Sequence, residues 1–241
     1  MTNEERPQHQ ATARSRTVAT TVLMVATFMD LMDSTITNVA LPTIGKDLHA
    51  TPEQLEWTLA GYVIAFATLL ITGGRLGDIF GHRRIFVIGM VGFTLASLGA
   101  ALSQTGDLLV ATRVIQGAFA GIMVPQVLSS VQVMFAPEER APVLGIIGAL
   151  SSLGAIGGLI LGGWLVTADL LGMGWRSIFL VNVPVGVVLV AAALLFVPRS
   201  RSEHPLRPDL VGVLLGGLGV FLVVFPLTDG RAAGWAWWIW A

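Results

Sequence analysis

Long apolar segments recur along the chain and are separated by short polar stretches. Six of them contain no Asp, Glu, Lys or Arg: 57–74, 85–106, 114–137, 141–168, 177–198 and 210–228. A further segment, 17–45, is interrupted only by Asp30 and Asp33. A helix needs about 20 predominantly apolar residues to cross the hydrocarbon core of a bilayer. The pattern therefore predicts seven membrane spans, and an eighth that begins at Trp235 and is cut off at Ala241.

These segments favour helices over the strands of a membrane barrel. Barrel strands alternate apolar and polar residues over about ten positions, and no such alternation occurs here. Backbone groups inside lipid must find partners within their own segment, which a helix provides. The fold class is therefore predicted to be all-α, a polytopic transmembrane helix bundle. Residues 1–16 are polar and are interpreted as a cytosolic tail rather than a signal peptide, because the apolar segment continues through two aspartates and lacks an Ala-x-Ala end.

The basic residues predict the orientation of the bundle. Of the 14 Lys and Arg residues, Arg113 lies inside a span. With the N-terminus in the cytosol, the inner side carries Arg6, Arg14, Arg16, Arg75, Arg83, Arg84, Arg140, Arg199, Arg201 and Arg207, and the outer side carries Lys46, Arg176 and Arg231. Loops rich in basic residues stay in the cytosol. The organisation that follows is a cytosolic tail over 1–16, a six-span unit over 17–197, a cytosolic linker over 198–209, and a seventh span with the start of a truncated eighth over 210–241.

Composition excludes several classes of protein. Hydrophobic residues make up 54% of the chain and charged residues only 12%, which excludes a soluble globular domain and a disordered chain. The net charge of −1 gives no indication of a nucleic-acid partner. The absence of cysteine excludes disulfides and thiolate metal sites, and four scattered histidines predict no metal centre. The chain has neither His-Glu-x-x-His nor Gly-x-Ser-x-Gly, so we expect no enzyme and no cofactor.

Three charged residues lie within the apolar segments, and they are the first candidates for a functional site. Asp30 and Asp33 are three residues apart and share a helix face, and Gln116 lies one turn after Arg113. A charge inside the membrane costs a few kcal/mol, so its default interpretation is functional. A carboxyl group in such a place can carry a proton near neutral pH. The alternative for Asp33 and Arg113 is a structural polar clamp. For Asp30 the alternative is that it only tunes its neighbour.

The segment between the second and third spans contains glycines among charged residues. These glycines are Gly74, Gly77 and Gly81, and their spacing predicts a tight turn that holds Asp78 close to Arg83 and Arg84. We expect Asp78 to pair with an arginine or to cap a helix N-terminus. A charge latch of this kind could hold one conformation of a moving protein. The segment lacks Gly-x-x-x-x-Gly-Lys and therefore does not predict a nucleotide cradle.

Glycines are concentrated in the fifth span. Gly154, Gly158 and Gly162 recur every four residues, and Gly157 lies beside them. A stripe of small residues on one helix face lets another helix approach closely. Simple packing and a special mechanical role both fit this pattern.

Together these landmarks resemble the major facilitator superfamily of secondary transporters, and most of all its fourteen-span drug:proton antiporter branch. The segment 31–42 matches the first-span motif of that branch, with its aspartate at position 33. The other matches are 74–84 to the superfamily loop motif, 113–117 to the fourth-span motif, 153–163 to the fifth-span antiporter motif, and 175–186 to the sixth-span motif. Two positions depart from the pattern: Gly158 stands where the antiporter motif usually has proline, and Ser177 where a bulky aromatic residue is common.

The resemblance implies an N-terminal six-span half of a major facilitator fold plus a linker span. The implied activity is proton-coupled export of drugs or other small amphipathic compounds across a bacterial inner membrane, with the N-terminus in the cytoplasm. Asp33 would bind a proton or a cationic compound, with Arg113, Gln116 and Asp30 in support. The implied partners are a small-molecule substrate, protons, the lipid bilayer, and a missing C-terminal half or a second copy of the chain. Two alternatives stay open: a seven-span receptor or structural module without transport, and a half transporter that associates with itself.

Overall fold

A computed structural model describes residues 13–169 and 172–201, together with the isolated positions 212, 215–216, 218–219 and 222–223. Within this part of the chain every regular element is a helix. The helices are α1 (Ala13–Asp47), α2 (Pro52–Phe80), α3 (His82–Ala101), α4 (Gly106–Met134), α5 (Pro137–Ala168), α6 (Ser177–Leu180) and α7 (Asn182–Phe196). A 3₁₀ turn, Gly174–Arg176, leads into α6 and then α7, and the three pieces form one span.

Six helical segments are long and apolar enough to cross a membrane. They coincide with the first six spans predicted from the sequence, so the all-α bundle is confirmed. Except for the isolated positions, the predicted seventh span and the start of the eighth lie outside the described residues. Most of the helices are longer than the apolar segments that predicted them, because a helix can continue past the hydrocarbon core into the polar interface.

The helix ends follow local sequence signals. Thr51 accepts a hydrogen bond from the backbone N–H of Gln54, whose side chain accepts one from the backbone N–H of Thr51. This reciprocal capping box starts α2, with Pro52 in its first turn. The hydroxyl of Thr105 accepts a hydrogen bond from the backbone N–H of Leu108 and so caps the start of α4. Gly81 separates α2 from α3 with φ of +98°, a left-handed conformation that favours glycine.

Glycines set the closest helix contacts. The most extensive interfaces join α2 to α4, α1 to α5, and α3 to α4. Gly73 of α2 and Gly121 of α4 lie at the first of them, where a Cβ at Gly73 would come within 2.6 Å of the Gly121 carbonyl oxygen. Without a hydrophobic force between helices in lipid, such close backbone packing supplies much of the association. These interfaces hold the charged residues of α1 and α4 in fixed register.

A polar clamp joins the ends of three spans on the side that carries the α1–α2 turn. The carboxylate of Asp47 accepts hydrogen bonds from Trp175 Nε1 at 2.9 Å and from Arg176 Nη1 at 2.6 Å. Arg176 also donates to the backbone carbonyl of Ser103, at the end of α3. The clamp therefore fixes the start of the sixth span against the ends of α1 and α3.

Replacing Asp47 by Asn should lower stability only slightly. Both ion-pair partners are partly exposed, and an exposed pair contributes about 1 kcal/mol or less. We expect a drop of a few degrees in the thermal unfolding midpoint of the detergent-solubilised protein, followed by tryptophan fluorescence. Glu56→Gln removes the same charge at the same end of the bundle and serves as the matched control. An equal drop in both variants would contradict a specific contribution from the clamp.

Candidate functional site

The centre of the bundle holds a buried ion pair between the first and fourth spans. Asp33 lies in α1 and Arg113 in α4, and their side chains are 0% and 1% exposed. Arg113 Nη1 donates to Asp33 Oδ2 at 2.5 Å and to Gln116 Oε1 at 2.6 Å. Gln116 lies one turn along the same helix, as the sequence spacing predicts. The structure therefore brings together three of the four residues proposed for proton and substrate coupling.

Neutral polar groups extend the ion pair into a network that crosses the bundle. Asn182, at the start of α7, donates to the second carboxylate oxygen of Asp33 at 2.5 Å. Ser97 of α3 accepts from Gln116 at 2.8 Å and from Asn182 at 3.3 Å. The Nε of Arg113 donates to the Thr58 carbonyl of α2 at 3.3 Å. Side chains and backbone from α1, α2, α3, α4 and α7 thus meet at one point.

Asp30 takes a different partner from Asp33. Its Oδ1 accepts a hydrogen bond of 2.6 Å from the hydroxyl of Tyr62 in α2. The ring of Tyr62 lies under the guanidinium of Arg113, whose Cζ is 4.2 Å from the ring centre. A cation over an aromatic face is stabilised, and more so away from water. Tyr62 therefore contacts both Asp30 and Arg113 and links the second aspartate to the ion pair.

The network leaves one acceptor free. Among the described residues, Asn182 Oδ1 is buried and has no hydrogen-bond donor. A buried polar atom without a partner is uncommon and costs free energy. Each oxygen of Asp33 has one donor, so the carboxylate is held in a defined orientation.

Three members of the network were not predicted from the sequence: Tyr62, Ser97 and Asn182. Neutral polar residues are common in membrane helices, so single ones carry little signal. Two weak signals were present nonetheless. Tyr62 is the only tyrosine in the chain, and Asn182 lies inside the segment that resembles the sixth-span motif.

The prediction that Asp78 pairs with Arg83 or Arg84 is wrong. Asp78 Oδ1 lies 3.6 Å from Nε2 of His82, and in the described chain it forms no ion pair with Arg83 or Arg84. Gly74 and Gly77 do not form a turn either, because α2 continues through both and ends at Phe80.

The physical reason for that error is helix packing. The glycines at 74 and 77 face α4, where a Cβ at Gly77 would overlap the side chain of Gln126. The turn is therefore made at Gly81 alone. Asp78 stays one helical turn before His82, and His82 Nδ1 in turn lies 3.0 Å from Gln126 Oε1. Arg83 instead donates to the carbonyls of Leu194 and Val197 at the end of the sixth span.

The glycine stripe of α5 packs against α1. A Cβ at Gly154 would come within 2.8 Å of the Phe28 carbonyl oxygen, and one at Gly158 within 2.6 Å of the Met32 carbonyl oxygen. Gly162 meets Ile36 in the same way, so successive glycines meet successive turns of α1. Gly157 is outside this line of contact, because its nearest neighbour would be 3.6 Å away. The stripe therefore holds α5 against the helix that carries Asp33.

An apolar groove lies beside the network. It has a volume of about 440 Å³ and runs between α2 and α4, with Trp57, Ile64, Thr68 and Val114 in its walls. Val114 and Gly61, which also lines it, directly adjoin Arg113 and Tyr62 in the sequence. Within the described residues there is no cluster of three His, Cys, Asp or Glu side chains that could hold a metal ion.

Six apolar helices packed around a buried ion pair define a multi-pass membrane protein of the transporter class. The family model for the Major Facilitator Superfamily matches residues 23–241, and the chain belongs to that superfamily. This agrees with the resemblance noted in the sequence motifs.

Curated relatives include export and resistance proteins of Streptomyces. The probable actinorhodin transporter of Streptomyces coelicolor is 44% identical over 92% of this chain and 39% of its own length. The tetracenomycin C resistance and export protein of Streptomyces glaucescens is 37% identical, over 90% of this chain and 39% of its own. The puromycin resistance protein of Streptomyces alboniger is also 37% identical, over 89% of this chain and 42% of its own length. The chain therefore spans about two fifths of the length of the curated relatives it matches.

Solved transporters share the fold. The proton:xylose symporter XylE, bound to 6-bromo-6-deoxy-D-glucose, superposes with a TM-score of 0.69 at 15% identity, over 92% of this chain and 55% of its own. A bacterial homologue of the human lysosomal transporter Spinster superposes with a TM-score of 0.65 at 20% identity, over 90% of this chain and 53% of its own. These identities are low, so the structures support the helix arrangement alone.

Proposed function

We propose that this chain is the N-terminal half of a proton-coupled exporter of small amphipathic compounds. The observation that carries the proposal is the buried Asp33–Arg113 pair, held by Gln116 and Asn182 at the centre of the bundle. A buried pair of charges is a poor stabilising device, because desolvation offsets most of the attraction. A role in coupling gives a reason to keep it. The names of the Streptomyces relatives, which specify export or resistance, support the direction of transport.

In this mechanism the carboxylate of Asp33 alternates between an ion pair with Arg113 and a bound proton. When Asp33 is ionised, Arg113 and Asn182 hold it and the ion pair is closed. A proton arriving from the outer side neutralises the carboxylate and releases Arg113 from its counter-charge. Arg113 then keeps Gln116, the Thr58 carbonyl and the Tyr62 ring as partners. A cationic substrate would compete with the proton for Asp33, while the apolar groove between α2 and α4 contacts its hydrophobic part.

The remaining half of the transporter would cover the least buried spans. Of the six described spans, α2 and α5 are the least buried within the bundle. In the major facilitator arrangement, six-span halves face each other across a central cavity and rock during alternating access. We propose that the N-terminus lies in the cytoplasm, from the distribution of basic residues. Because the relatives are proteins of Streptomyces, we also propose a bacterial cell membrane as the location. A second copy of the chain could take the place of the missing half.

Two measurements test the proposal. The protein purified from its own source is expected to exceed the 25.5 kDa of this chain by a second set of spans. Reconstituted in vesicles, it should move ethidium or puromycin when a pH gradient is imposed and stop when an uncoupler collapses it. Vesicles without protein are the control. A mass of 25.5 kDa with gradient-driven flux would indicate a self-associating half. Binding of a compound without flux would overturn export and favour a receptor.

Asn182 provides a separate test of the network. Replacing Asn182 by Leu keeps the side-chain size but removes the donor to Asp33. A hydrogen bond to a charged group contributes about 1.5–3 kcal/mol, so we expect export to fall by about tenfold or more. Val181→Leu, one residue earlier, is the matched control and should export normally. Both variants should insert in the membrane, and only Asn182→Leu should have a lower unfolding midpoint, because it leaves Asp33 Oδ1 without its donor. Unchanged export in Asn182→Leu would remove Asn182 from the coupling site.

A further inference from the structure

A basic cavity lies at the opposite end of the bundle from the Asp47 clamp. It has a volume of about 270 Å³ and is formed where α2 ends, α3 begins and the chain leaves α7. Its charged walls are Arg83 and Arg84 on one side and Arg199 and Arg201 on the other. We infer that this cavity is a binding site for a phosphate group, supplied by an anionic lipid headgroup or by a free phosphate. The inference does not depend on the proposed export.

The charges around the cavity have no counter-charge in the described chain. Arg84, Arg199 and Arg201 form no hydrogen bond or ion pair with any described residue. Arg83 donates only to backbone carbonyls, through Nη1. The acids that flank these arginines along the chain are Asp78, which pairs with His82, and Glu203, which lies outside the described residues. Like charges held together repel one another, so an anion between them would stabilise the arrangement.

The cavity also has directional donors. The hydroxyl of Ser200 is buried, lines the cavity and has no hydrogen-bond partner among the described residues. The Ser200 carbonyl accepts from the backbone N–H of His82 at 3.0 Å, which fixes the segment after α7 against the start of α3. The first N–H groups of a long helix point away from its body and favour an anion. Guanidinium groups match phosphate geometry with paired N–H donors.

The position of the cavity favours a lipid as the source of phosphate. All three of its walls are at the ends of membrane spans, where lipid headgroups lie. Phe80, the last residue of α2, also borders it, and its side chain is 55% exposed. An aromatic ring at that depth would contact the upper part of an acyl chain. A soluble phosphate would use the same arginines and the same hydroxyl but not Phe80.

Native mass spectrometry of the full chain tests the site. The probes are phosphatidylglycerol, the zwitterionic phosphatidylcholine, and inorganic phosphate as a competitor. We expect about tenfold greater retention of phosphatidylglycerol than of phosphatidylcholine. The double variant Arg84→Gln/Arg199→Gln should abolish that preference. Its charge-matched control is Arg16→Gln/Arg140→Gln, which removes two arginines at the same end of the bundle but away from the cavity. The control should retain the preference.

Two further measurements distinguish a specific binding site from general attraction between charges. Ser200→Ala leaves the charge unchanged and should still weaken retention of phosphatidylglycerol, by about threefold for one lost hydrogen bond. If millimolar inorganic phosphate displaces the lipid completely, the natural ligand is a soluble phosphate; if it does not, the ligand is a lipid. Equal loss of retention in the control and the cavity variant, with Ser200→Ala unchanged, would overturn the proposal. Thermal unfolding midpoints within a few degrees of the parent confirm that each variant is folded.

Discussion

Asp33→Asn is expected to abolish proton-driven export while the protein still inserts in the membrane. The substitution keeps the shape of the side chain and a hydrogen-bond acceptor for Arg113, but it removes the group that binds the proton. It also leaves Arg113 buried without a counter-charge, which costs about 3–5 kcal/mol when a buried pair is broken. The readouts are ethidium flux in vesicles under an imposed pH gradient and the unfolding midpoint. Full flux in this variant would eliminate Asp33 as the coupling group.

A double substitution separates stability from coupling. Arg113→Gln alone should destabilise the protein as much as Asp33→Asn, because it leaves the carboxylate of Asp33 buried without its cation. The combination Asp33→Asn/Arg113→Gln removes both charges and should recover most of the lost stability. It should not recover flux. If the double variant recovered both, the pair would be the structural clamp that the sequence left open as an alternative.

Gly158→Ala is expected to lower stability more than the same substitution at any other glycine of α5. A Cβ at this position would come within 2.6 Å of the Met32 carbonyl oxygen in α1. That neighbour is backbone, so the two helices must separate. Overpacking of this kind costs about 1–3 kcal/mol, and the separation would also displace the α1 segment that carries Asp33. We therefore expect a lower unfolding midpoint together with reduced export.

Gly148→Ala is the matched control on the same helix. A Cβ at Gly148 meets nothing within 4 Å, and alanine is the better helix former. Its unfolding midpoint should stay the same or rise slightly. If Gly148→Ala and Gly158→Ala had equal midpoints, the tight approach of α5 to α1 would not contribute to stability.

Apolar length was enough to predict the six described spans, because a bilayer imposes a minimum length on every crossing helix. The charged core residues were equally visible, since Asp33 and Arg113 interrupt or border apolar segments where charge is costly. Of the side chains that bind this pair, only Gln116 was predicted. Ser97 and Asn182 are neutral, and only the packing of α3 and α7 against α1 brings them together. That packing depends on glycine contacts between helices distant in sequence.

The segment 74–84 shows the opposite limitation. Glycines among charged residues usually indicate a turn, and the prediction of a latch relied on that signal. In the structure Gly74 and Gly77 remain helical, and Gly77 lies against Gln126 of α4. Glycine permits both a turn and a close helix contact, and the local sequence does not distinguish them. The error placed Arg83 and Arg84 beside Asp78, whereas both side chains face the cavity with Arg199 and Arg201.

The ion pair at the centre of the bundle joins residues that are 80 positions apart in the chain. Ribosomes add about 5–20 residues per second, so Arg113 is synthesised about 4–16 s after Asp33. During that interval the first helix must enter the bilayer with its carboxyl groups and no cation to meet them. Asn182 arrives later still, 149 positions after Asp33. Completion of the polar core is therefore a late event in biogenesis, and a ribosome that stalls between α3 and α4 would leave a helix with two carboxyl groups in the bilayer and no arginine partner for membrane quality-control proteases to recognise.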